Sequence, residues 1–276
     1  MVAAEDTPVG GPRTMFLLDA HNLLYRYYHA APVQMHQGHN VNAVRGLRSL
    51  VTRLLSYGPG AVTIVFDGGG SCSGRKDLLP AYKAGRTDMP DDLRYQVELA
   101  RDYMPRFGAS TVRVDGYEAD DLIASLALPA REAGHRVYLL TSDKDMLSLV
   151  TDVLPPIHVY TRIGDGWRIV KEAGVQERLG VPPGKVLDML ALCGDKVDGI
   201  PGVPGVGDKT AAELILQYGS LKTLFDLLPT LKRQGLKDKL REHRAGIDLA
   251  RRLLEPVSVP IDAIAQGTIY AQAATH

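Results

Sequence analysis

The chain contains 276 residues, of which 45% are hydrophobic and 23% are charged. These proportions indicate a soluble globular protein with one large domain or two smaller ones. The formal net charge is zero, because 32 basic residues balance 32 acidic ones. A neutral chain argues against nucleic-acid binding, since domains that bind nucleic acids usually carry a net positive charge. The charge is uneven, however, because residues 220–252 hold nine Lys or Arg against four Asp or Glu.

The two cysteines, Cys72 and Cys193, exclude a disulfide framework and a Cys-based zinc site, and they suit a reducing cytosol. Residues 1–13 lack a basic start followed by an apolar stretch, so we expect a short mobile tail rather than a signal peptide. No run approaches the roughly 18 apolar residues of a membrane span. We therefore expect a cytoplasmic protein without membrane contact.

Four short apolar runs predict buried strands, and each lies next to a segment of helical periodicity. Strands that alternate with helices predict βαβ units, and hence an α/β fold with a central, mostly parallel sheet flanked by helices. The predicted strands are residues 15–19, 61–67, 110–115 and 136–143. After about residue 180 the pattern is wholly helical.

Each predicted strand ends on an aspartate, and these are Asp19, Asp67, Asp115 and Asp143. Any one of them alone is better explained as a turn or helix-cap residue. In open α/β sheets, however, ligands bind beyond the carboxyl ends of the strands. Together, the four residues predict an acidic site at one edge of the sheet.

The segment DGYEADDLI, residues 115–123, adds Glu118, Asp120 and Asp121 at the start of a helix. Helix N-termini favour acids, which accounts for one or two of them. Two carboxylates about 4 Å apart repel by roughly 4 kcal/mol at an effective dielectric constant near 20. A packed cluster of this size therefore needs protons, basic partners or a bound cation.

Residues 68–90 show neither strand nor helix periodicity and are too long for an ordinary connection. One interpretation is a solvated insertion. The other is a mobile lid over the acidic edge, which presents cations to an anionic substrate. Tyr82 lies beside one of the basic residues of this segment, which are Arg75, Lys76, Lys83 and Arg86.

A glycine-rich stretch, GDKVDGIPGVPGVGDKTAAELI, occupies residues 194–215. It begins with Asp195 and Asp198, whose i, i+3 spacing would place them on one helical face. It continues with predicted tight turns and a helix that begins near Asp208. Exposed N–H groups at such turns and helix starts bind phosphate without regard to sequence. The basic helices at 220–252 follow directly.

In SDKDM, Asp145 joins Asp143 and completes a candidate metal site. All-oxygen ligand sets favour hard cations such as magnesium or manganese. Magnesium binds few carboxylates directly, so nine acids suit two ions, a recurrent arrangement for phosphodiester hydrolysis. No Ser–His–Asp or Cys–His arrangement stands out, and His21 and His29 are interpreted as helix residues. The nine acids are Asp19, Asp67, Glu118, Asp120, Asp121, Asp143, Asp145, Asp195 and Asp198.

These motifs resemble the 5′ nuclease (flap endonuclease) family, and especially the 5′-3′ exonuclease domain of bacterial DNA polymerase I. GYEADDLIA, TSDKDM and GDKVDGIPGVPGVGDKTAA are similar to the acidic motifs and the helix–three-turn–helix of that family. AYKAGRTDMPDDLR looks like the base of its helical arch. The resemblance implies an α/β nuclease core at residues 14–180, with the arch at about 68–90, and a helical DNA-binding subregion at 181–276. Because no polymerase region follows, we expect a free-standing nuclease.

The resemblance also implies roles for the nine acids in holding two Mg²⁺ or Mn²⁺ ions. The acids expected mainly at the first ion are Asp67, Glu118, Asp120 and Asp121. Those expected mainly at the second ion are Asp145, Asp195 and Asp198. Asp143 would lie near both ions, and Asp19 largely in the outer shell.

The same resemblance implies that the chain cuts DNA at 5′ flaps, nicks and 5′ ends, and removes RNA primers from RNA–DNA hybrids. Lys83 and Arg86 would position the scissile phosphate. Further DNA contacts are expected from Arg26, Arg75, Lys76, Tyr82, Gly202, Gly205, Gly207 and Lys209. Some family members bind potassium at the glycine-rich turn. We expect a monomer associated with the nucleoid, and the sequence does not identify its protein partners.

Three departures from the family pattern bear on arch order and fine positioning. The stretch between Asp67 and Arg75 is one residue longer than usual, with Gly74 where an aromatic residue is common. Gly199 replaces a frequent Asn after the last acid, and Ser142 replaces a frequent Gly.

Two other functions are alternatives to the nuclease: an endoribonuclease of the related PIN class, and a DNA-junction binding protein with a relict site. The PIN class predicts a small domain without the arch or the glycine-rich turn, and a relict site predicts lost acids.

Overall fold

The computed structural model describes residues 6–69 and 74–272. The strands are β1 (Thr14–Asp19), β2 (Met35–His36), β3 (His39–Asn40), β4 (Ala61–Phe66), β5 (Ser110–Arg113), β6 (Arg136–Leu140), β7 (Ile157–Ile163), β8 (Gly166–Val170) and β9 (Thr268–Ile269). The helices are α1 (Ala20–Ala30), α2 (Asn42–Leu55), α3 (Arg75–Leu78), α4 (Asp91–Tyr103), α5 (Ala119–Glu132), α6 (Glu172–Leu179), α7 (Val186–Cys193), α8 (Asp208–Tyr218), α9 (Leu221–Asp226), α10 (Gln234–Glu242), α11 (Arg244–Leu254) and α12 (Ile261–Gln266). Short 3₁₀ helices occupy Met104–Phe107, Asp145–Leu149, Pro183–Lys185 and Leu228–Thr230.

The main sheet has seven strands in the order β8-β7-β6-β1-β4-β5-β9. The strands from β7 to β5 run parallel, whereas β8 and β9 are antiparallel to their neighbours. The predicted α/β fold with a mostly parallel sheet is confirmed, and the four predicted strands are β1, β4, β5 and β6. Strands β4, β5 and β6 end before the predicted boundaries, so the aspartates that follow them lie just beyond the sheet.

Three strands of the sheet were not predicted. β7 and β8 form an antiparallel hairpin at one edge, after the last predicted strand. β9 lies at the other edge, where Thr268 and Ile269 pair with β5. The region after residue 180 is therefore helical apart from this short strand. Two residues are too few to produce a period-2 pattern, so only the pairing with β5 defines β9.

Helices cover both faces of the sheet, which explains why its parallel strands are continuous apolar runs. Successive residues of β1 point to opposite faces, because side chains alternate along a strand. Phe16 and Leu18 pack with α1, α2 and α4, whereas Leu17 packs with α5 and the helices after residue 180. No helix within residues 6–69 and 74–272 is both long enough and apolar enough to cross a bilayer.

The segment predicted as a helical arch has a different conformation. Between Gly74 and Pro90, the four-residue α3 is the only helix, and turns span residues 80–86. The structure thus shows no helical arch in the described part of this segment, in which Lys83 binds Glu118 and Arg86 binds Asp198. Residues 70–73 lie outside the described residues.

The predicted mobile tail is wrong for residues 6–13, which are held against the sheet. The Asp6 backbone N–H donates to the Trp167 carbonyl (3.0 Å), and its carboxylate accepts from the Ile169 N–H (2.8 Å). The Val9 N–H donates to the Tyr138 hydroxyl (3.0 Å). These bonds attach the segment to the backbone of β8 and to the side chain of Tyr138 in β6. Residues 1–5 of the predicted tail lie outside the described residues.

Candidate active site

Asp19 and Asp143 are connected through a threonine at the carboxyl ends of β1 and β6. Asp19 caps α1, because its Oδ1 accepts from the Asn22 N–H (3.1 Å). Its Oδ2 accepts from the Thr141 hydroxyl (3.0 Å), and that hydroxyl oxygen accepts from the Asp143 N–H (3.1 Å). Since β1 and β6 are neighbours in the sheet, adjacent strands deliver both acids to the same place.

Asp67 joins this group from the end of β4. Its Oδ1 accepts from the Ala119 N–H at the start of α5 (2.7 Å), and its Oδ2 lies 3.2 Å from Nδ1 of His21. The result is a cavity of about 550 Å³ at the sheet edge. The acids that line it are Asp19, Asp67, Asp88, Asp120 and Asp143. Asp115, the remaining strand-end acid, is an exposed turn residue that accepts from the Gly69 N–H (3.1 Å).

Burial and mutual repulsion disfavour ionisation in this group. Burial raises the pKa of Asp19 to about 6, and the charge of Asp67 adds to the shift. Burial also raises the pKa of Asp145 to about 8, with Asp143 adding to it. The pKa values of Asp120 and Asp143 are raised from the same first cause. Burial and the neighbouring carboxylates together therefore favour the protonated forms of these acids.

Glu118 and Asp121 have different surroundings, because both contact the guanidinium of Arg75. Asp121 is fully buried and binds Arg75 through two parallel hydrogen bonds (2.8 and 2.9 Å). Its carboxylate also accepts from the backbone N–H groups of Glu118 (3.1 Å) and Val257 (2.8 Å). The expected metal-ligand role of Asp121 is therefore corrected, since its carboxylate binds Arg75 and the backbone at the start of α5 instead.

The expected DNA contact of Arg75 is corrected in the same way. Arg75 is 4% exposed, and all of its N–H directions are used inside the protein. Besides Asp121, it donates to Glu118 Oε2 (3.2 Å) and to the carbonyls of Leu253 (2.8 Å) and Glu255 (3.1 Å). Burial acts to lower the pKa of Arg75, but the bonds to Asp121 and Glu118 raise it. Arg75 thus connects α3, α5 and the end of α11.

The acids also receive polar side chains from residues 80–86. Those of Tyr82 and Lys83 contact Glu118, and that of Arg86 contacts Asp198. Lys83 Nζ donates to Glu118 Oε1 (2.7 Å) and lies 4.0 Å from Asp198 Oδ2. The Tyr82 hydroxyl donates to Glu118 Oε2 (3.0 Å), and Tyr82 is 3% exposed, so it is enclosed rather than presented to a ligand. Arg86 binds Asp198 through Nη2 and through Nε (3.1 Å). The cations expected to face an anionic substrate thus bind carboxylates of the protein itself in this structure.

Asp195 and Asp198 lie in a tight turn, so the expectation of a shared helical face is wrong. The turn is closed by backbone hydrogen bonds in both directions between Asp195 and Ile200 (2.8 and 2.9 Å). Asp195 Oδ1 accepts from the N–H groups of Val197 (2.7 Å) and Asp198 (3.2 Å). A second cavity, of about 1070 Å³, extends from Asp143 past both acids to Asp208.

The glycine-rich turn follows as predicted and leads into α8 at Asp208. Gly202 is packed so tightly that an added Cβ would lie 2.1 Å from the Cys193 carbonyl oxygen. Gly205 has φ +81°, and the Lys239 ammonium donates to the neighbouring Pro204 carbonyl (3.0 Å). Gly207 and Lys209 are exposed at the start of α8. These positions suit a surface that binds a phosphate backbone.

Two other expected DNA contacts lie apart from this turn. Arg26 is half-buried on α1, and burial lowers its pKa. Lys76 is exposed on α3. Neither residue lines the acidic cavity.

Whether the site suits a metal follows from its donors. No three His, Cys, Asp or Glu side chains within residues 6–69 and 74–272 are already arranged as a metal-binding group. The carboxylates that line the cavity nevertheless form an all-oxygen set, which suits hard cations. Burial raises the pKa of Asp19 and Asp120, and the charges of neighbouring carboxylates add to the shift, so a bound cation would favour the ionised forms. The residues present therefore fit divalent ions.

Sequence reasoning missed several polar residues that support the acids. His21 contacts Asp67, although we interpreted it as an ordinary helix residue. Asn22 and Ser142 bond to each other through Asn22 Nδ2 and the Ser142 hydroxyl (2.7 Å) and through the Ser142 N–H and Asn22 Oδ1 (3.2 Å). Thr141 connects two of the acids. The available signal was a polar residue within three positions of a strand-end aspartate.

The fold and the site together define an α/β protein with an acidic centre at the carboxyl edge of its sheet and a helical region beside it. Residues 14–180 match a family model described as "5′-3′ exonuclease, N-terminal resolvase-like domain". Residues 181–266 match one described as "5′-3′ exonuclease, C-terminal SAM fold". The chain belongs to the 5′-3′ exonuclease family, which confirms the resemblance inferred from its motifs.

Curated relatives include longer proteins. The chain is 34% identical over 265 residues to DNA polymerase I of Rhizobium leguminosarum, covering 90% of this chain and 25% of that protein. It is 35% identical over 262 residues to the thermostable DNA polymerase I of Thermus filiformis, covering 93% of this chain and 31% of that protein. The chain thus spans between a quarter and a third of the length of these relatives.

Solved structures share the fold. The 5′-exonuclease of bacteriophage T5 with bound divalent zinc ions has a TM-score of 0.74 and 23% identity, covering 92% of this chain and 93% of that one. The catalytic core of Rad2 in complex with DNA substrate has a TM-score of 0.60 and 18% identity, covering 91% of this chain and 81% of that one.

Proposed function

We propose that this chain is a structure-selective, divalent-metal-dependent 5′ nuclease that hydrolyses phosphodiester bonds at 5′ ends and 5′ flaps of duplex DNA. One observation carries the proposal: carboxylates from three strand ends meet beside a glycine-rich turn and an exposed helix start. The first feature suits metal-assisted hydrolysis, and the second suits the phosphate backbone of the same substrate.

The comparisons support this proposal from several directions. The family models carry the name 5′-3′ exonuclease, and the curated relatives are DNA polymerases. The phage T5 5′-exonuclease has divalent zinc ions bound, and Rad2 is in complex with DNA substrate. We extend these properties to the present chain because its acids and its glycine-rich turn occupy adjoining cavities.

Two groups of acids would hold two ions, which we take to be Mg²⁺ or Mn²⁺. Bound ions would supply activated water and charge neutralisation at the attacking and leaving oxygens. Asp19 would support the group from behind, because both of its oxygens already accept protein hydrogen bonds. The proposed first group is Asp67, Glu118 and Asp120, and the second is Asp145, Asp195 and Asp198, with Asp143 between them.

Lys83 and Arg86 would neutralise the scissile phosphate once they leave Glu118 and Asp198. Both reach the cavity from residues 80–86, so a short movement of this segment transfers their charge from carboxylate to phosphate. The duplex would be held through backbone N–H groups around Gly202, Gly205 and Gly207, with a potassium ion at the turn and with Lys209 beside it. Such binding is electrostatic and depends on salt.

A 5′-labelled flap duplex tests the proposal directly. The protein is incubated with it in magnesium, in manganese and in chelator, and the products are sized. Metal-dependent products cut near the junction establish a flap nuclease, whereas metal-dependent mononucleotides alone establish an exonuclease. An RNA primer on DNA, tested in parallel, measures primer removal, and sedimentation of the protein tests the expected monomer. Binding of the flap without any product in either metal contradicts the proposal.

A further inference from the structure

Gly199 makes a close backbone contact that an added side chain would crowd. It lies in the turn from Asp195 to Ile200, with φ +68°. A Cβ added at Gly199 would lie 2.8 Å from the carbonyl oxygen of Ala81, closer than real Cβ atoms approach such an atom. Glycine is needed here both for its conformation and for the close approach of another chain segment.

The contact of Gly199 with Ala81 is part of a larger backbone contact between two turns. We call residues 80–86 the cation turn. Next to Ala81, the Lys83 N–H donates to the Asp198 carbonyl (2.8 Å), and Lys83 has φ +56°. A positive φ at a non-glycine residue costs free energy and persists only where the surroundings hold it. The backbone of the cation turn is therefore docked on the backbone of the acidic turn 195–200.

This backbone contact between the two turns determines where the charged groups of Lys83 and Arg86 lie. Lys83 Nζ binds Glu118 Oε1 at 2.7 Å, and its side chain is 18% exposed. Burial acts to lower the pKa of Lys83, but the charge of Glu118 raises it, so the ammonium stays charged. Arg86 binds Asp198 from the far end of the same turn. Both carboxylates are thus neutralised by the protein itself.

We propose that Gly199 is a positioning residue that lets the cation turn pack against the turn 195–200. Lys83 then stays bound to Glu118, and Arg86 to Asp198, until a divalent ion replaces these cations at the carboxylates and a phosphate binds the cations. The proposal rests on the proposed function, because the same two carboxylates are candidate metal ligands. It implies a competition: whatever lifts the cation turn makes Glu118 and Asp198 more available to metal. A residue that merely stabilised the fold would weaken metal binding when mutated, not strengthen it.

The test replaces Gly199 by asparagine. Asparagine tolerates a left-handed backbone better than other residues with a side chain, so Gly199→Asn chiefly introduces the contact with Ala81. The matched control is Gly164→Asn, because Gly164 has φ +59° and an added Cβ there meets nothing within 4 Å. Thermal melting of both variants checks that they fold.

Two measurements without DNA then decide the matter. Limited trypsin digestion measures cleavage after Lys83 and Arg86, with other cleavage sites as the internal reference. Manganese titration followed by electron paramagnetic resonance measures metal affinity. For Gly199→Asn we expect about tenfold faster cleavage at the two sites and about tenfold tighter manganese binding, which corresponds to loss of one charge-assisted hydrogen bond. Gly164→Asn is expected to match the wild type.

Unchanged or slower cleavage, or weaker manganese binding, in a folded Gly199→Asn variant overturns the proposal. If that variant does not fold, the wild-type protein supplies the test: manganese should accelerate cleavage after Lys83 and Arg86, and a rate independent of manganese overturns it. Neither readout uses nucleic acid. A protein that never cuts a flap therefore refutes the proposed function, while these measurements still decide the role of Gly199.

Discussion

Arg75 and Asp121 form a buried, two-bonded ion pair that connects the base of residues 74–90 to the start of α5. The pair also reaches the end of α11, because Arg75 binds the Leu253 carbonyl and Asp121 accepts from the Val257 N–H. Three segments far apart in sequence are thus held by two side chains. Glu118, a candidate metal ligand, receives its orientation from the same guanidinium.

Arg75→Met is expected to lower the free energy of unfolding by about 3–5 kcal/mol, because it leaves the Asp121 carboxylate buried without its partner. Urea unfolding measures the change. Lys76→Met, at the exposed neighbouring position, is the control and should alter stability little. The double variant Arg75→Met with Asp121→Asn should recover part of the loss, since no buried charge then lacks a partner. A cost equal for Arg75→Met and Lys76→Met would contradict the structural role.

Asp120→Asn is expected to reduce cleavage by at least about a hundredfold, because it removes a carboxylate that lines the acidic cavity. Duplex binding should stay within experimental error, since the glycine-rich turn is untouched. Single-turnover cleavage and fluorescence anisotropy measure the two effects. Asp115→Asn changes an acid of the same segment whose side chain is exposed, and it should cleave like the wild type. Full turnover by Asp120→Asn would refute the metal assignment.

Two glycines of the same turn should respond differently to alanine. Gly202→Ala places a methyl group 2.1 Å from the Cys193 carbonyl oxygen, so we expect a loss of stability of about 2 kcal/mol or more. Gly207→Ala meets no atom within 4 Å and should fold normally. Its methyl group lies at the start of α8, where we expect it to weaken duplex binding. Urea unfolding and anisotropy separate the two outcomes, and equal stability losses would contradict this assignment.

Lys209→Met should reduce the salt dependence of duplex binding. If Lys209 contacts one phosphate, the slope of log K against log salt concentration falls in magnitude by about 0.9. Anisotropy titrations over a range of potassium chloride concentrations measure this slope. Lys171→Met, an exposed lysine just before α6, serves as the control and should leave the slope unchanged. An unchanged slope for Lys209→Met would remove this residue from the binding surface.

His158 should make stability depend on pH. Burial lowers the pKa of His158 below its ordinary value of 6.5, although Asp152 opposes the shift. Below pH 6.5 the unfolded chain therefore binds a proton that the folded chain resists, and stability decreases as pH falls through this window. Above it, both states are neutral and the effect vanishes. In urea unfolding at several pH values, His158→Gln should show a flatter dependence than the wild type, and an identical slope would contradict the shift.

The strands and the acids of the sheet edge were predictable because their signals are local. Apolar runs such as MFLLD bury both faces of a parallel strand, and an aspartate at each strand end follows from the same short segment. The helix start at Asp208 was readable in the same way. β9 and the contact between Asn22 and Ser142 were not, because each depends on a partner more than a hundred residues away.

The sequence by itself determined the fold class, the family and the aspartates that follow the strands, since these depend on patterns and motifs within short stretches. Only the tertiary structure decided what each charged side chain contacts. Arg75 and Asp121 carry the same charges whether they face DNA, metal or each other, and packing of α3, α5 and α11 enclosed them together. Likewise, Lys83 binds Glu118 and Arg86 binds Asp198, and both contacts join segments that are distant in the sequence, which no local pattern encodes.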